Sequence, residues 1–236
     1  MQKILRGNRF AAIIMASALT SFALTAGAGG EACASMRVVP AIMTFEDGKK
    51  DRKDFKVSNT SQRTQYLDIT AFRITEPGAS PEDLQTNPDP EEVGLLVAPR
   101  KIILRPGETK LIRTILLEQN IENDQAWRVS IKPVIGDVTA KSNGTLISVA
   151  FNALVIGRPT APNPDVKGHW EDHTLVLHNY GNSYSKVIEG QQCVPGIACK
   201  NVKPKRIWPG ESHHIEFPHK GHVKIKFENS EQPLSY

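Results

Sequence analysis

No helical period of useful length runs along this sequence, which argues against a helical bundle or a layered α/β fold. Also absent are a G-x-S-x-G elbow, an H-E-x-x-H pair and a glycine-rich phosphate loop. The commonest hydrolase, metalloprotease and nucleotide-binding chemistries therefore have no foothold. The expectation is a protein that is not an enzyme and holds no cofactor or metal. Cysteine is scarce, with three in 236 residues. A strong excess of one charge is missing too. The formal net charge is +4, and without Lys3, Arg6, Arg9 and Glu31 of the N-terminal segment it is +2. So small a surplus does not point to nucleic acid.

That N-terminal segment has its own pattern. The basic residues precede an apolar, small-residue run from Phe10 to Ala28, and Ala32-Cys33-Ala34 is an A-x-A site. This predicts a secretory signal peptide over residues 1–34, cleaved after Ala34, with no stable membrane insertion afterwards. Cys33 would leave with it. Cys193 and Cys199 remain, in CVPGIAC. Export and an even count favour a disulfide, which the Pro195-Gly196 turn would let close, over free thiols or two metal ligands at a non-standard spacing.

After Ala34 the chain is a succession of short β-branched segments separated by turn signals. RVVPAIMTF, DFKVSN, QYLDITAFRIT, GLLVAPRKIIL, TKLIRTILL, WRVSIKPVI and the stretch beginning at Leu146 make seven. This spacing predicts an all-β sandwich. DLQTNPDPEE (83–92) reads as an exposed loop, and LEQNIENDQ could form one helical turn. RPTAPNP, residues 158–164, holds three prolines and reads as a semi-stiff linker. The predicted organisation is therefore a first domain over 35–157, the linker over 158–164, and a smaller all-β domain over 165–236.

The stretch NGTLISVAFNALVIGRP, from Asn143 to Pro159, is unusual. Leu146 to Ile156 carries no charge, and both of its alternating faces are fit for burial. A half-buried strand needs only one such face. An uncovered apolar face marks a partner site.

Several motifs together resemble the PapD-like periplasmic pilus chaperones. VAPRKIILRPGETKLIRT, AWRVSIKPV and FNALVIGRP are similar to consecutive parts of that family's first domain. LHNYGNSYSKV and RIWPGES are similar to turns of its second. The resemblance implies two immunoglobulin-like β-sandwich domains in tandem, in a bent, boomerang-like arrangement. It implies a periplasmic chaperone that folds and caps fimbrial subunits by donor-strand complementation and delivers them to an outer-membrane usher. One face of the strand would pack on the chaperone's own core and the other would be lent to the subunit. By register from Arg158-Pro159, the lent residues are Ile147, Val149 and Phe151. The free protein could self-associate to hide them. Arg158 and Pro159 stand at the joint between the domains.

The sequence departs from the family's pattern in three places. Typical members hold the subunit's terminal carboxylate with a Lys, where this chain has Leu154, and an Arg, whose place falls near Met43. Arg113, Lys110 and Arg37 are the candidate replacements. The acidic partner of the Arg before Pro is expected to be missing, since Pro133 stands near its place. Two other readings compete with the chaperone. One is a structural or adhesive component of a surface pilus. The other is a His-rich periplasmic metal-binding protein, because all seven histidines lie beyond residue 168. Their spacing matches no established metal site.

Overall fold

The computed structural model describes residues 35–46, 52–118, 120–134, 149–196, 198–228 and 230–236. The expected signal peptide lies outside these residues. Within the first sandwich the strands are β1 (Met36–Val39), β2 (Ile42–Glu46), β3 (Arg52–Asn59), β4 (Gln65–Ile74) and β5 (Leu84–Gln85). After a helical turn, α1 (Pro90–Val93), come β6 (Leu95–Ala98), β7 (Lys101–Leu104), β8 (Thr109–Leu116), β9 (Gln125–Pro133) and β10 (Phe151–Arg158). The second sandwich has β11 (Val166–Glu171), β12 (Thr174–Asn179), β13 (Ser185–Gln192), β14 (Lys200–Asn201), β15 (Lys205–Ile207), β16 (Ser212–Glu216), β17 (Val223–Phe227) and β18 (Leu234–Ser235). The all-β expectation holds. No helix among the described residues is long and apolar enough to cross a membrane.

In the first sandwich one sheet has the order β1-β3-β8-β6. The other has the order β2-β10-β9-β4-β5, with β7 also on β4. Alternation sets which side chains meet between them. Phe55 and Val57 of β3, Ile112 of β8, Leu67 and Ile69 of β4, and Trp127, Val129 and Ile131 of β9 all point inward and are buried. Pro40 has no N–H to give to a ladder, and the chain changes sheets there, between β1 and β2. In the second sandwich a β11-β12-β16 sheet packs on a β14-β13-β17-β18 sheet, with β15 on β13. Leu175, Leu177, Val187, Ile207, Phe217, Val223 and Ile225 fill its core. Cys193 and Cys199 are joined by a disulfide in the loop after β13.

Helical structure falls elsewhere than the sequence suggests. The described residues of LEQNIENDQ are not helical; the one helical turn among the described residues is α1, at the end of the segment read as a loop. The Asp89 side chain accepts from the Glu91 N–H, Pro90 opens the turn, and Gly94 ends it at a φ of 78°. Val93 is buried, and its carbonyl accepts from Trp127 Nε1 at 2.6 Å, which holds the turn to the core.

The two sandwiches repeat one turn. Asn59 ends β3, and Asn179 ends β12; both are buried. Asn59 Nδ2 donates to the carbonyls of Arg63 and Leu104, and Asn179 Nδ2 to those of Ser183 and Ile207. Leu104 and Ile207 each precede an x-Pro-Gly-Glu turn whose glutamate accepts from the backbone N–H three residues before it, Arg105 or Trp208. The backbone of each asparagine pairs with its own turn, Asn59 with Gly107 and Glu108, and Asn179 with Gly210 and Glu211.

Candidate functional site

β10 has one end inside the protein and one end on its margin. From Phe151 to Gly157 it pairs antiparallel with β9. On its other side β2 joins in parallel only from Leu154 to Arg158. Among the described residues nothing pairs with that side of Phe151 to Ala153, which leaves an open backbone edge. Leu154 N–H donates to the Ala41 carbonyl on the β2 side, and by alternation the backbone groups of Asn152 face the open part of the same edge.

The odd-numbered side chains of β10 face the first core. Ala153 and Val155 are buried there, and Phe151 packs partly buried against it. Towards the start of the strand this core runs out. Val149, one pleat further on, is 60% exposed. Ile147 lies outside the described residues. The even-numbered face is exposed at Asn152 and buried from Leu154 on. Leu154 and Ile156 are buried with Ile74, Ala126 and Trp208, and Tyr184 packs against that cluster. Trp208 and Tyr184 belong to the second sandwich, so the second sandwich covers the second face. On the odd-numbered face Gly157 fits closely too: a Cβ there would stand 2.7 Å from Ile121 and 3.1 Å from the Trp127 ring.

Arg158 has an acidic partner, contrary to the expectation that none is present. The acid comes from the loop before β9 and not from the place near Pro133. Asp124 Oδ1 lies 3.5 Å from Arg158 Nε, with the carboxylate side chain fully buried and the arginine side chain 16% exposed. Asp124 Oδ2 accepts the Tyr184 N–H at 2.6 Å, and the Asp124 N–H donates to the Asn182 carbonyl at 2.9 Å. One residue of the first sandwich thus holds the backbone of the second at two points. Burial pushes the Asp124 carboxyl above its ordinary pKa, while the Tyr184 N–H and the Arg158 guanidinium pull it down. The linker backbone is held too, at Ala161 and Asn163. Asn163 N–H donates to Asn182 Oδ1, and Asn182 Nδ2 to the Ala161 carbonyl. Gly181 is required beside them, because a Cβ would stand 2.1 Å from the Asn163 carbonyl oxygen. A cleft of about 420 Å³ opens next to this junction, lined by Pro77, Asn123, Asp124, His178, Tyr180 and Trp208 among others.

Arg37, Lys110 and Arg113 are not brought to β10. They lie on β1 and β8, in the opposite sheet of the first sandwich. Arg113 pairs with Asp54 at 3.2 Å. Lys110 donates to the Ile103 carbonyl at 2.8 Å and lies 3.5 Å from Glu108. Met43 is buried opposite Val155, so both places where typical members carry a cation are apolar and buried here. Among the described residues no group of three or more potential ligands could hold a metal. His178 bonds Ser212, and His169 contacts Glu171.

A second exposed apolar feature lies on the outer face of the first sandwich. Ile103, Tyr66 and Val134 stand side by side across β7, β4 and the end of β9, and each is about half exposed.

No family model matches the chain. Two curated fimbrial proteins of Escherichia coli do. One, from the CS1 fimbriae, is 24% identical over 192 residues, which covers 76% of this chain and 79% of that protein. The other, from the CFA/I fimbriae, is 24% identical over 191 residues, covering 73% and 78%. Among solved structures, the class 5 fimbriae chaperone CfaA superposes with a TM-score of 0.66 at 23% identity, over 85% of this chain and 97% of that one. This chain has the fold of the fimbrial chaperones. The chaperone SafB of Salmonella enterica, solved with its SafA pilin, shares that fold at 15% identity, with a TM-score of 0.59 over 86% of this chain and 95% of that chain. At such identities the common property is the arrangement of sheets. The functional residues have to be argued from this chain.

Proposed function

We propose that this protein is a periplasmic chaperone of fimbrial subunits that acts by lending the start of β10 to a subunit lacking a strand. The observation that carries the reading is the open edge of Phe151 to Ala153 next to a core that runs out at an exposed valine. A subunit strand paired to that edge would satisfy its backbone groups. Its own core would continue the row of Phe151 and Val149, and Ile147 would extend the row. Burial of each such side chain contributes about 1.5–3 kcal/mol before ordering costs.

The same reading takes 1–34 as a cleaved signal peptide, 35–157 and 165–236 as the two domains, and 158–164 as their linker. An outer-membrane usher is the second partner, and the exposed row of Ile103, Tyr66 and Val134 is a surface suited to one. Neither catalysis nor a cofactor is invoked.

Co-expression with the fimbrial subunit encoded nearest to this gene tests the reading. The expected result is a stable one-to-one complex from the periplasm, and a degraded or aggregated subunit when the chaperone is omitted. Recovery of this chain as a component of purified fimbriae would instead make it a structural subunit.

A further inference from the structure

The outer face of the β1-β3-β8-β6 sheet takes no part in strand lending. β1, β3 and β8 bury alternate side chains in the core, which turns Arg37, Arg52, Lys56 and Arg113 outward, and all four are exposed. Among the described strand residues of this face the one acid is Asp54, which pairs with Arg113 at 3.2 Å. Four cations against one acid leave a surplus of three positive charges. The registers set Val39 opposite Lys56 and Lys56 opposite Leu111, so one row across the sheet reads apolar, cationic, apolar. Val39 is 42% exposed and Leu111 49%.

The cations are spread over two dimensions. They come from three strands, and Arg37, opposite Ser58, is separated from Arg52 by most of the length of β3, about 20 Å. An extended acidic chain presents its charges along a line, whereas a bilayer presents phosphates over an area. Exposed apolar side chains beside the cations add buried apolar area to the attraction for anionic lipid. We propose that this face is a peripheral docking surface for a bilayer containing anionic phospholipid. The inference rests on the export proposed above. β10 lies in the opposite sheet, so a protein docked in this way keeps its open edge free for a subunit. Each cation held near such a surface raises the binding constant about fivefold, and salt screens the attraction.

The test sediments the exported protein with vesicles of mixed phosphatidylethanolamine and phosphatidylglycerol, and with vesicles of phosphatidylcholine alone. The expected result is binding to the anionic vesicles at low ionic strength, released by added sodium chloride and absent with phosphatidylcholine. Arg37→Gln combined with Lys56→Gln should weaken it about tenfold or more and leave recovery of the subunit complex unchanged. Lys224→Gln combined with Lys226→Gln, on β17 of the second sandwich, removes the same charge elsewhere and should leave vesicle binding near the parent's. Where the first pair does not fold, Arg52→Gln combined with Leu111→Ser takes its place with the same expectation. No binding to anionic vesicles, equal binding to phosphatidylcholine, equal weakening by the β17 pair, or full binding by a folded variant of the face overturns the proposal. Saturable binding of polyglutamate without vesicle binding would make the face a site for an acidic polypeptide and overturn it as well. These outcomes are read independently of subunit recovery, on which the chaperone reading stands or falls.

Discussion

At the scale of single residues, position along β10 decides what a substitution does. Val149 and Val155 share a face, yet one is mostly exposed and the other fully buried. Val149→Asp should leave the melting of the free protein within about 0.5 kcal/mol of the parent, because its carboxylate faces water. It should reduce recovery of the subunit complex at least tenfold, because there the same carboxylate enters an apolar groove unpaired. Val155→Asp should unfold the first sandwich, at a cost above about 4 kcal/mol. Thermal melting and co-purification distinguish the two, and a free Val149→Asp protein as unstable as Val155→Asp would remove the donor-strand reading. Asn59 and Asn179 make a second matched pair. Replacing either by Ala strands the two carbonyls it serves, both buried for Asn179 and one of them for Asn59, and frees the backbone donors it held, for a loss of up to about 3 kcal/mol, read as an earlier melt.

At the scale of elements, the strands were the most legible part of the sequence. Alternation in DFKVSN, QYLDITAFRIT and WRVSIKPVI marks β3, β4 and β9, since each buries one face against the same core. The double-faced character of FNALVIGR was also visible. What covers its second face was not, because Trp208 is about fifty residues away and reads locally as part of a turn. Asp124 was missed for a similar reason: ENDQ looks like a polar loop, and only the fold shows that its carboxylate is buried beneath Tyr184. The helical turn was placed wrongly. In DPEEVG the N-cap, first-turn proline and C-cap glycine were all present, but the acidic, proline-rich surroundings read as loop. The disulfide was legible from compartment and spacing. Its loop spans only seven residues, so replacing both cysteines by Ser should cost about 2 kcal/mol by loop entropy, and the loss should appear in the second sandwich's melt first.

At the scale of the whole molecule, two carboxylates give stability opposite dependences on acidity. The Asp124 carboxyl is raised by burial. A raised acid binds its proton more tightly folded than unfolded. Its contribution is therefore full below the ordinary carboxylate pKa and is lost as pH rises through the folded value. The hydrogen bond from Arg128 lowers the Glu82 carboxyl. Its contribution is present above the unfolded pKa and disappears as pH falls through the folded one. Melting followed from about pH 3 to 7 should show both components. Asp124→Asn should remove the one that falls with rising pH and weaken the hold on Arg158. Glu82→Gln should remove the one that rises, with a loss near neutral pH of no more than about 1 kcal/mol.

The repeated x-Pro-Gly-Glu turn is built alike in the two halves except for the side chain before its proline. In the first half the slot before proline holds Arg105, exposed to water; in the second it holds Trp208, which closes the joint. The turn itself therefore accepts either side chain, and the joint depends on which was installed. Trp208→Arg should leave the second sandwich folded, as its twin shows it can, while uncovering Leu154 and Ile156. Small-angle scattering should then report a broader spread of interdomain distances than in the parent. A protein of this architecture would have one side chain, added to the polar ties at the joint, through which its stiffness is adjustable without redesigning either half.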